Sequence, residues 1–185
     1  MKILITGGLG HIGSYILQNI NKIKIIKKIY IIDDLSTQRY SSLFGLKNSN
    51  KKIYFLQKDL SKKDALKNFT KVDVVLNLAS ITDATESLKF KRRIYKINLG
   101  IFDNILKYCK KNSSKLIHIS STSVYGEQKG LIDEMCQNLK PKSPYAEIKV
   151  IEERKLKSMK KQIKFISYRF GTISGFSPGM RFHTA

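Results

Sequence analysis

The chain has 185 residues, which is enough for one domain with a sizeable hydrophobic core. It contains 35 lysines and arginines against 14 aspartates and glutamates, giving a formal net charge of +21. The excess is mostly lysine scattered in pairs, whereas arginine, the preferred reader of phosphates and base edges, is scarce. We therefore interpret the charge as solvated helix faces that could also attract a doubly anionic substrate, and we expect no nucleic-acid partner.

Two cysteines, Cys109 and Cys136, are too few for a disulfide framework, and we expect both to be reduced thiols. No apolar stretch approaches the roughly 20 residues that span a bilayer. The N-terminal apolar run is short and is broken at once by glycine, which is not the pattern of a signal peptide. The sequence therefore predicts a cytoplasmic protein without a membrane partner, and its motifs indicate no metal site.

The first fourteen residues, MKILITGGLGHIGS, have the pattern of a strand, a glycine-rich turn and a helix start. Residues 2–6 form the β-branched apolar run that is typical of a buried parallel strand. Gly7, Gly10 and Gly13 follow at intervals of three, and these glycines allow a sharp turn, close approach of a pyrophosphate and tight packing of helix on strand. Asp33 lies 20 positions beyond Gly13, where a ribose-binding acid is expected. The sequence thus predicts a dinucleotide-binding turn.

Apolar β-rich runs then alternate with helical patterns along the chain. The predicted strands are 2–6, 28–33, 53–57, 72–78, 115–120 and 163–169, and the predicted helices are 11–22, 61–68, 86–111 and 145–160. Residues 34–50 are predicted to be a loop with at most a short helix. This alternation predicts an α/β fold with a doubly wound, Rossmann-type parallel sheet and helices on both faces. Ligands of such folds bind at the carboxyl ends of the strands.

The second strand ends at Asp33 and Asp34. A carboxylate that accepts both ribose hydroxyls would repel a 2′-phosphate, and the nearest arginine is Arg39, so the sequence favours NAD over NADP. The third strand ends near Asp59, which could either contact the adenine or cap the predicted helix 61–68. The fourth ends in the small residues of 77–80, which could either line the dinucleotide site or simply pack the strand terminus.

The fifth strand runs into a row of hydroxyl side chains at 120–123. Further along, Ser143 and Pro144 suit the cap and first position of a helix that begins with Tyr145 and Lys149. These two side chains are at positions i and i+4 and therefore lie on one helix face. A YxxxK pattern alone is common, but behind a dinucleotide-binding turn and a hydroxyl-rich strand end it indicates a catalytic pair.

Together these motifs resemble those of the extended short-chain dehydrogenase/reductase family, in particular its NAD-dependent sugar-nucleotide epimerases and dehydratases of the UDP-glucose 4-epimerase type. The resemblance runs from Met1 to about Gly175. TGGLGHIGS is similar to the family's TGxxGxxG, IIDDLS to its DNLS segment, KDL to its DL, and NLAS to its HLAA. SSTSVYG is similar to SSxxVYG, and SPYAEIK to SPYxxSK.

The resemblance implies an epimerase that uses NAD to oxidise a nucleotide-activated sugar transiently to a keto intermediate. It makes Tyr145 the acid/base, Lys149 its partner and Ser121 the hydroxyl that holds the reacting oxygen. A free phenol has a pKa of about 10 and is a poor base at neutral pH, whereas an adjacent ammonium favours the phenolate. The implied cofactor-binding residues are Gly7, Gly10, His11, Ile12, Asp33, Asp34, Asp59, Leu60, Leu78, Ala79, Ser80, Asn98, Tyr145 and Lys149; the implied substrate-binding residues are Thr82, Ser121 and Thr122.

Positions at which this sequence departs from the family pattern favour some of the possible reactions over others. Thr122 and Ser123 stand where family dehydratases carry an acidic pair, so epimerisation is favoured over dehydration. Ile148 replaces a serine found in many relatives, which we expect to affect packing more than chemistry. The other hypotheses are a reductase or dehydrogenase of a similar sugar and a non-catalytic NAD-binding protein, although the latter need not keep Ser121, Tyr145 and Lys149.

Family members are longer than this chain, and their additional length builds most of the sugar-nucleotide pocket. We predict an NAD-binding Rossmann domain over 1–175 and the start of a truncated substrate-binding region over 176–185. The chain is then either a fragment or dependent on a partner for the missing lobe, and we expect it to bind NAD with weak or absent turnover. The resemblance also implies a homodimer formed through the helices near 86–111 and 145–160.

Overall fold

A computed structural model describes residues 1–44, 46, 49–82 and 90–180. Its centre is one parallel sheet with the strand order β3-β2-β1-β4-β5-β6. The strands are Lys2–Thr6 (β1), Lys28–Asp33 (β2), Lys52–Gln57 (β3), Val74–Asn77 (β4), Lys115–Ser121 (β5) and Phe165–Phe170 (β6). The order reverses direction at β1, which is the doubly wound arrangement. All six predicted strands are confirmed, with ends that differ by up to two residues.

Among the described residues, three α-helices cover the sheet: His11–Gln18 (α1), Lys91–Asn112 (α2) and Pro144–Ser158 (α3). Short 3₁₀-helices occupy Ile20–Lys22, Tyr40–Leu43 and Thr122–Val124. The first of these continues α1, so the predicted helix 11–22 is present in two pieces. As predicted, α3 begins with a serine cap and a proline, and the Ser143 hydroxyl accepts a hydrogen bond from Ala146 N at 3.2 Å. Residues 83–89, which include most of the predicted N-terminal turn of α2, lie outside the described residues.

The hydrophobic core has a layer on each face of the sheet. Phe102 of α2 packs with Leu4 and Leu116 on one face, and Leu17 of α1 packs with Ile5 on the other. The α1 face is less well covered at the end of the sheet formed by β6, because Ile166 and Tyr168 there are 47% and 44% exposed. No helix among the described residues is long and apolar enough to cross a bilayer.

The predicted helix 61–68 is wrong. Residues 60–68 form successive turns instead, in which Ala65 N donates to Lys62 O and Lys67 N donates to Asp64 O. Asp64 has a φ of +55°, a left-handed conformation that cannot continue an α-helix. Asp59 therefore caps a turn rather than a helix, since its Oδ1 accepts from Ser61 N at 2.8 Å and from the Ser61 hydroxyl at 2.6 Å.

Candidate active site

A cleft of about 1070 Å³ lies at the carboxyl ends of the strands, where a doubly wound sheet binds its ligand. The predicted site residues that line it are Gly7, Gly10, His11, Ile12, Asp33, Asp34, Asp59, Leu60, Leu78, Ala79, Ser80, Thr82, Ser121, Thr122, Tyr145 and Lys149. The structure therefore brings together predicted site residues that are as far apart in the sequence as Gly7 and Lys149. The remaining predicted residue, Asn98, does not line this cleft.

The glycine-rich turn has the geometry that a pyrophosphate site requires. Gly7 has a φ of +62°, and a Cβ there would lie 2.7 Å from the backbone of Ala79. A Cβ at Gly13 would lie 2.4 Å from Gly8 O, so α1 can pack this closely on the turn only without a side chain. Gly10 precedes α1 and supplies no side-chain cap, which leaves the helix N-terminus open to an anion. The turn therefore fits the dinucleotide that its spacing predicts.

The Asp33 carboxylate is held in place at the end of β2. Its Oδ2 accepts a hydrogen bond from Leu9 N at 3.1 Å, and its Oδ1 accepts one from Leu35 N at 3.0 Å. Burial raises the pKa of Asp33, and these two backbone donors oppose that effect. Each carboxylate oxygen retains acceptor capacity, so Asp33 can also accept from a ribose. Asp34 instead accepts from Ser36 N and shapes the following loop.

Two hydrogen-bonded pairs position the loop after β4. The Thr6 hydroxyl donates to Asn77 Oδ1 at 2.8 Å and joins the ends of β1 and β4. Asn98 of α2 is buried and binds the backbone of Ile81 twice, accepting from its N–H at 2.8 Å and donating to its carbonyl at 3.0 Å. The structure thus places Asn98 behind the cleft wall, where it holds residues of the wall instead of facing the cofactor space.

The three predicted catalytic side chains lie in the same cleft. Ser121 ends β5, and its Oγ accepts from Ser123 N at 3.2 Å, while the Ser123 hydroxyl lies 2.8 Å away. Tyr145 and Lys149 are on the first two turns of α3, with Lys149 Nζ 5.6 Å from the centroid of the Tyr145 ring. A phenol, an ammonium and a hydroxyl thus line the same cleft as the glycine-rich turn, and these groups suit the removal of a proton from an alcohol.

Lys149 is almost fully buried and forms an ion pair with Glu152 at 2.8 Å. Burial lowers the pKa of Lys149, but the charge of Glu152 and the proximity of Tyr145 outweigh that effect and raise the pKa above its usual value. His118 of β5 lies 3.4 Å from Glu152. Burial and the charge of Lys149 hold the pKa of His118 well below its usual value, so this imidazole is neutral. The lysine is therefore a charged group at neutral pH.

A second buried ion pair connects α3 to β5 and β6. Arg169 binds Glu153 in a bidentate manner, through Nε at 2.9 Å and Nη2 at 2.8 Å. The Ser120 hydroxyl donates to the same carboxylate at 2.6 Å, and Arg169 also donates to the Tyr125 hydroxyl at 3.0 Å. This network fixes α3 against the strand end that carries Ser121, and so it sets the position of Tyr145 relative to that hydroxyl.

Several cleft residues were not predicted from the sequence. Arg93, Ile97 and Ile101 of α2 face the cleft, and their spacing of four residues places them on one helix face. The spacing could have indicated a shared helix face, but any amphipathic helix has such a spacing, so it does not by itself indicate a binding site. Arg39 and Ile173 also line the cleft, after β2 and β6 respectively. The rule that ligands lie beyond strand ends would have included them.

Known proteins match both the sequence and the fold. The NAD dependent epimerase/dehydratase family model matches residues 3–185. A Bacillus subtilis (strain 168) protein named as an uncharacterized UDP-glucose epimerase, YtcB, is 32% identical over 99% of this chain and 60% of its own length. The UDP-glucose 4-epimerase of Yersinia enterocolitica is 30% identical over 85% of this chain and 48% of its own length.

Solved structures agree with these sequence matches. A UDP-glucuronic acid 4-epimerase from Bacillus cereus, in complex with UDP-glucuronic acid and NAD, aligns with a TM-score of 0.85 and 30% identity over 99% of this chain and 61% of that chain. The UDP-glucose 4-epimerase of Thermus thermophilus, in complex with NAD, aligns with a TM-score of 0.81 and 26% identity over 95% of this chain and 56% of that chain. The present chain thus spans no more than about three fifths of these relatives. The predicted resemblance is confirmed: the chain belongs to the NAD-dependent epimerase/dehydratase family.

Proposed function

We propose that this chain is the cofactor-binding part of an NAD-dependent epimerase that acts on a nucleotide-activated sugar. The observation that carries the proposal is that Ser121, Tyr145 and Lys149 line the same cleft as the glycine-rich turn and Asp33. The family is NAD-dependent, and the relatives named above are UDP-sugar epimerases, which supports both the cofactor and the substrate class.

NAD would lie along the cleft, with its pyrophosphate at the turn formed by Gly7 and Gly10 and its adenosine ribose on Asp33. Bound there, NAD would supply a reversible hydride acceptor for the sugar. The Asp33 carboxylate disfavours a 2′-phosphate by charge repulsion, so we propose NAD rather than NADP as the cofactor. Asp59, Leu60 and Leu78 to Ser80 also line the cleft, and we propose that Asp59 and Leu60 would lie beside the adenine.

The reaction needs a base for one sugar hydroxyl and a hydrogen-bond donor for the carbonyl that forms. The phenolate form of Tyr145, stabilised by the charge of Lys149, would take the hydroxyl proton as that sugar carbon is oxidised, which leaves Tyr145 as the neutral phenol. Ser121 donates to the sugar oxygen in both states. When the keto sugar turns over, Tyr145 returns the proton while the hydride is delivered to the opposite face. The configuration is inverted, and no net oxidation occurs.

Dehydration is an alternative, because the family includes dehydratases as well as epimerases. That reaction needs a further acid and base near the sugar. Thr122 and Ser123 follow Ser121 in this chain, and neither hydroxyl is acidic enough for the role. This favours epimerisation.

The proposal extends to the organisation of the protein. We propose that residues 1–175 are the NAD-binding domain and that 176–185 belong to the start of a substrate-binding region. Ser177 and Gly179 contact the glycine-rich turn and α1, where the Ser177 hydroxyl donates to His11 O and Gly179 N donates to the Ser14 hydroxyl.

We also propose a homodimer that uses α2 and α3, which light scattering can test. The free thiols of Cys109 and Cys136 support a cytoplasmic location.

The direct test incubates the chain with NAD and a panel of UDP-sugars, with protein in excess over sugar, and separates the products by chromatography. The proposal predicts slow interconversion of 4-epimers without accumulation of NADH. Tyr145→Phe should abolish the interconversion while leaving NAD affinity nearly unchanged, because only the acid/base group is removed. Net NADH formation would favour a dehydrogenase. Equal turnover by the wild type and Tyr145→Phe would contradict the proposal.

A further inference from the structure

The ammonium of Lys149 has a buried partner that none of the sequence motifs predicts. Lys149 Nζ lies 2.8 Å from Glu152 Oε2, and the two side chains are only 4% and 3% exposed. Tyr145, Lys149 and Glu152 follow one another along α3, and the first two line the cleft whereas Glu152 does not. The carboxylate therefore lies on the protein side of the lysine, opposite the space that a ligand would fill.

The other charged groups near this pair have partners of their own. Glu153 is bound by Arg169 through two hydrogen bonds. Lys155, which also faces Glu152 from the same helix, forms its ion pair with Asp103 of α2 at 2.5 Å. These pairs leave the Glu152 carboxylate to Lys149.

From the sheet side the pair faces a neutral group. His118 of β5 is fully buried, its ring contacts Phe102 at a centroid distance of 5.0 Å, and its Nε2 is 3.4 Å from Glu152 without hydrogen-bond alignment. Because burial and the Lys149 charge keep the pKa of His118 low, this imidazole supplies no positive charge that would compete for the carboxylate. On β5, therefore, no charged His118 competes with Lys149 for the Glu152 carboxylate.

We propose that Glu152 is a positioning residue that holds the Lys149 ammonium charged and in one orientation beneath the cleft. An ammonium has three N–H donors, and one directed at Glu152 leaves two for the cleft, where a cofactor ribose would lie. A buried ammonium without a counter-charge tends to lose its proton. Glu152 thereby keeps Lys149 competent to act on Tyr145. The functional part of this inference rests on the proposed function, whereas the effect of Glu152 on the charge of Lys149 does not.

The test is an NMR titration of lysine side chains labelled at Cε, with the Lys149 signal assigned by its loss in Lys149→Met. In Glu152→Gln, which keeps the shape but not the charge, the titration midpoint of Lys149 should fall by about one to three pH units. Glu152→Asp keeps the charge and should restore most of the midpoint. The matched control is Asp103→Asn, which removes the carboxylate partner of Lys155 on the same helix and should leave Lys149 unchanged.

A second measurement separates this inference from the proposed function. Calorimetric titration with NAD at neutral and alkaline pH should show that Glu152→Gln loses affinity at a lower pH than the wild type. If the chain does not bind NAD but the Lys149 midpoint falls, the proposed function is contradicted and the effect of Glu152 stands. An unchanged Lys149 midpoint in Glu152→Gln would overturn the inference whatever the NAD affinity.

Should Glu152→Gln fail to fold, the double variant with Lys149→Met decides the question. The inference attributes such a failure to an unpaired buried ammonium, so removal of the ammonium should restore folding, measured by circular dichroism. A double variant that remains unfolded would show that Glu152 serves the fold independently of Lys149, and would contradict the inference.

Discussion

Gly10 and Gly13 lie three residues apart in one turn, but a methyl group has different consequences at each. A Cβ at Gly13 would meet backbone atoms of Gly8 at 2.4 to 2.7 Å, which neither partner can relieve without moving α1 from the sheet. A Cβ at Gly10 would meet Gly7 O at 3.3 Å and a terminal nitrogen of the flexible Arg39 at 3.4 Å. We therefore expect Gly10 to be needed by the ligand and Gly13 by the fold.

We expect Gly13→Ala to lower the free energy of unfolding by about 1–3 kcal/mol, because the added methyl group overpacks a rigid contact. Gly10→Ala should unfold at nearly the wild-type temperature but bind NAD at least about tenfold more weakly, since backbone approach to the pyrophosphate is lost. Thermal denaturation and calorimetry on both variants check this. A fully stable Gly13→Ala, or a Gly10→Ala with wild-type affinity, would show that the two roles are misassigned.

At the scale of elements, α2 holds the cleft walls as well as the core. Asn98 binds Ile81 in the loop after β4, and Asn104 donates to the carbonyls of Leu60 and Lys62 in the turns after β3. Both amides are buried, and each satisfies backbone groups of a segment that has no regular structure of its own. One helix therefore sets the positions of two separate segments that line the cleft.

Asn98→Ala should cost about 1–3 kcal/mol of unfolding free energy, because two buried backbone groups of Ile81 lose their partner. NAD affinity should also fall, since Leu78 to Ser80 are then less well positioned. The matched control is Asn112→Ala on the same helix, whose amide donates to Tyr108 O within α2 and lies far along the helix from Asn98. If the two variants are equally stable and bind NAD equally well, Asn98 does not position the cleft.

The sequence was sufficient for those elements whose pattern and local chemistry agree. The strands have strong apolar runs, and α3 has its serine and proline, so both were predicted. The prediction of a helix at 61–68 is wrong because hydrophobic spacing does not show the left-handed backbone of Asp64 or the turn capped by Asp59. The partner of Lys149 was missed for a different reason. Charged residues are common along α3, and only packing against β5 shows that Glu152 is buried.

At the scale of the whole molecule, the buried neutral His118 predicts a pH dependence of stability. An unfolded histidine takes up a proton below a pH of about 6.5, whereas burial and the Lys149 charge hold the folded pKa of His118 well below that value. Between the two pKa values only the unfolded chain is protonated, so this histidine lowers stability as the pH falls below about 6.5.

We therefore expect wild-type stability to fall relative to His118→Leu by up to about 1.4 kcal/mol per pH unit as the pH decreases from about 6.5. Urea denaturation at a series of pH values measures the difference between the two proteins, which cancels the contributions of the other titrating groups. A difference that does not change with pH would mean that His118 takes up a proton as readily in the folded chain as in the unfolded chain.

We propose that NAD binds this chain in the cleft lined by the glycine-rich turn and Asp33. Calorimetric titration of the purified chain with NAD, and separately with NADP, tests it most directly. We predict one saturable site per chain for NAD and at least about tenfold weaker binding of NADP, because the 2′-phosphate would meet the Asp33 carboxylate. Absence of saturable NAD binding, or equal affinity for the two dinucleotides, would contradict this account.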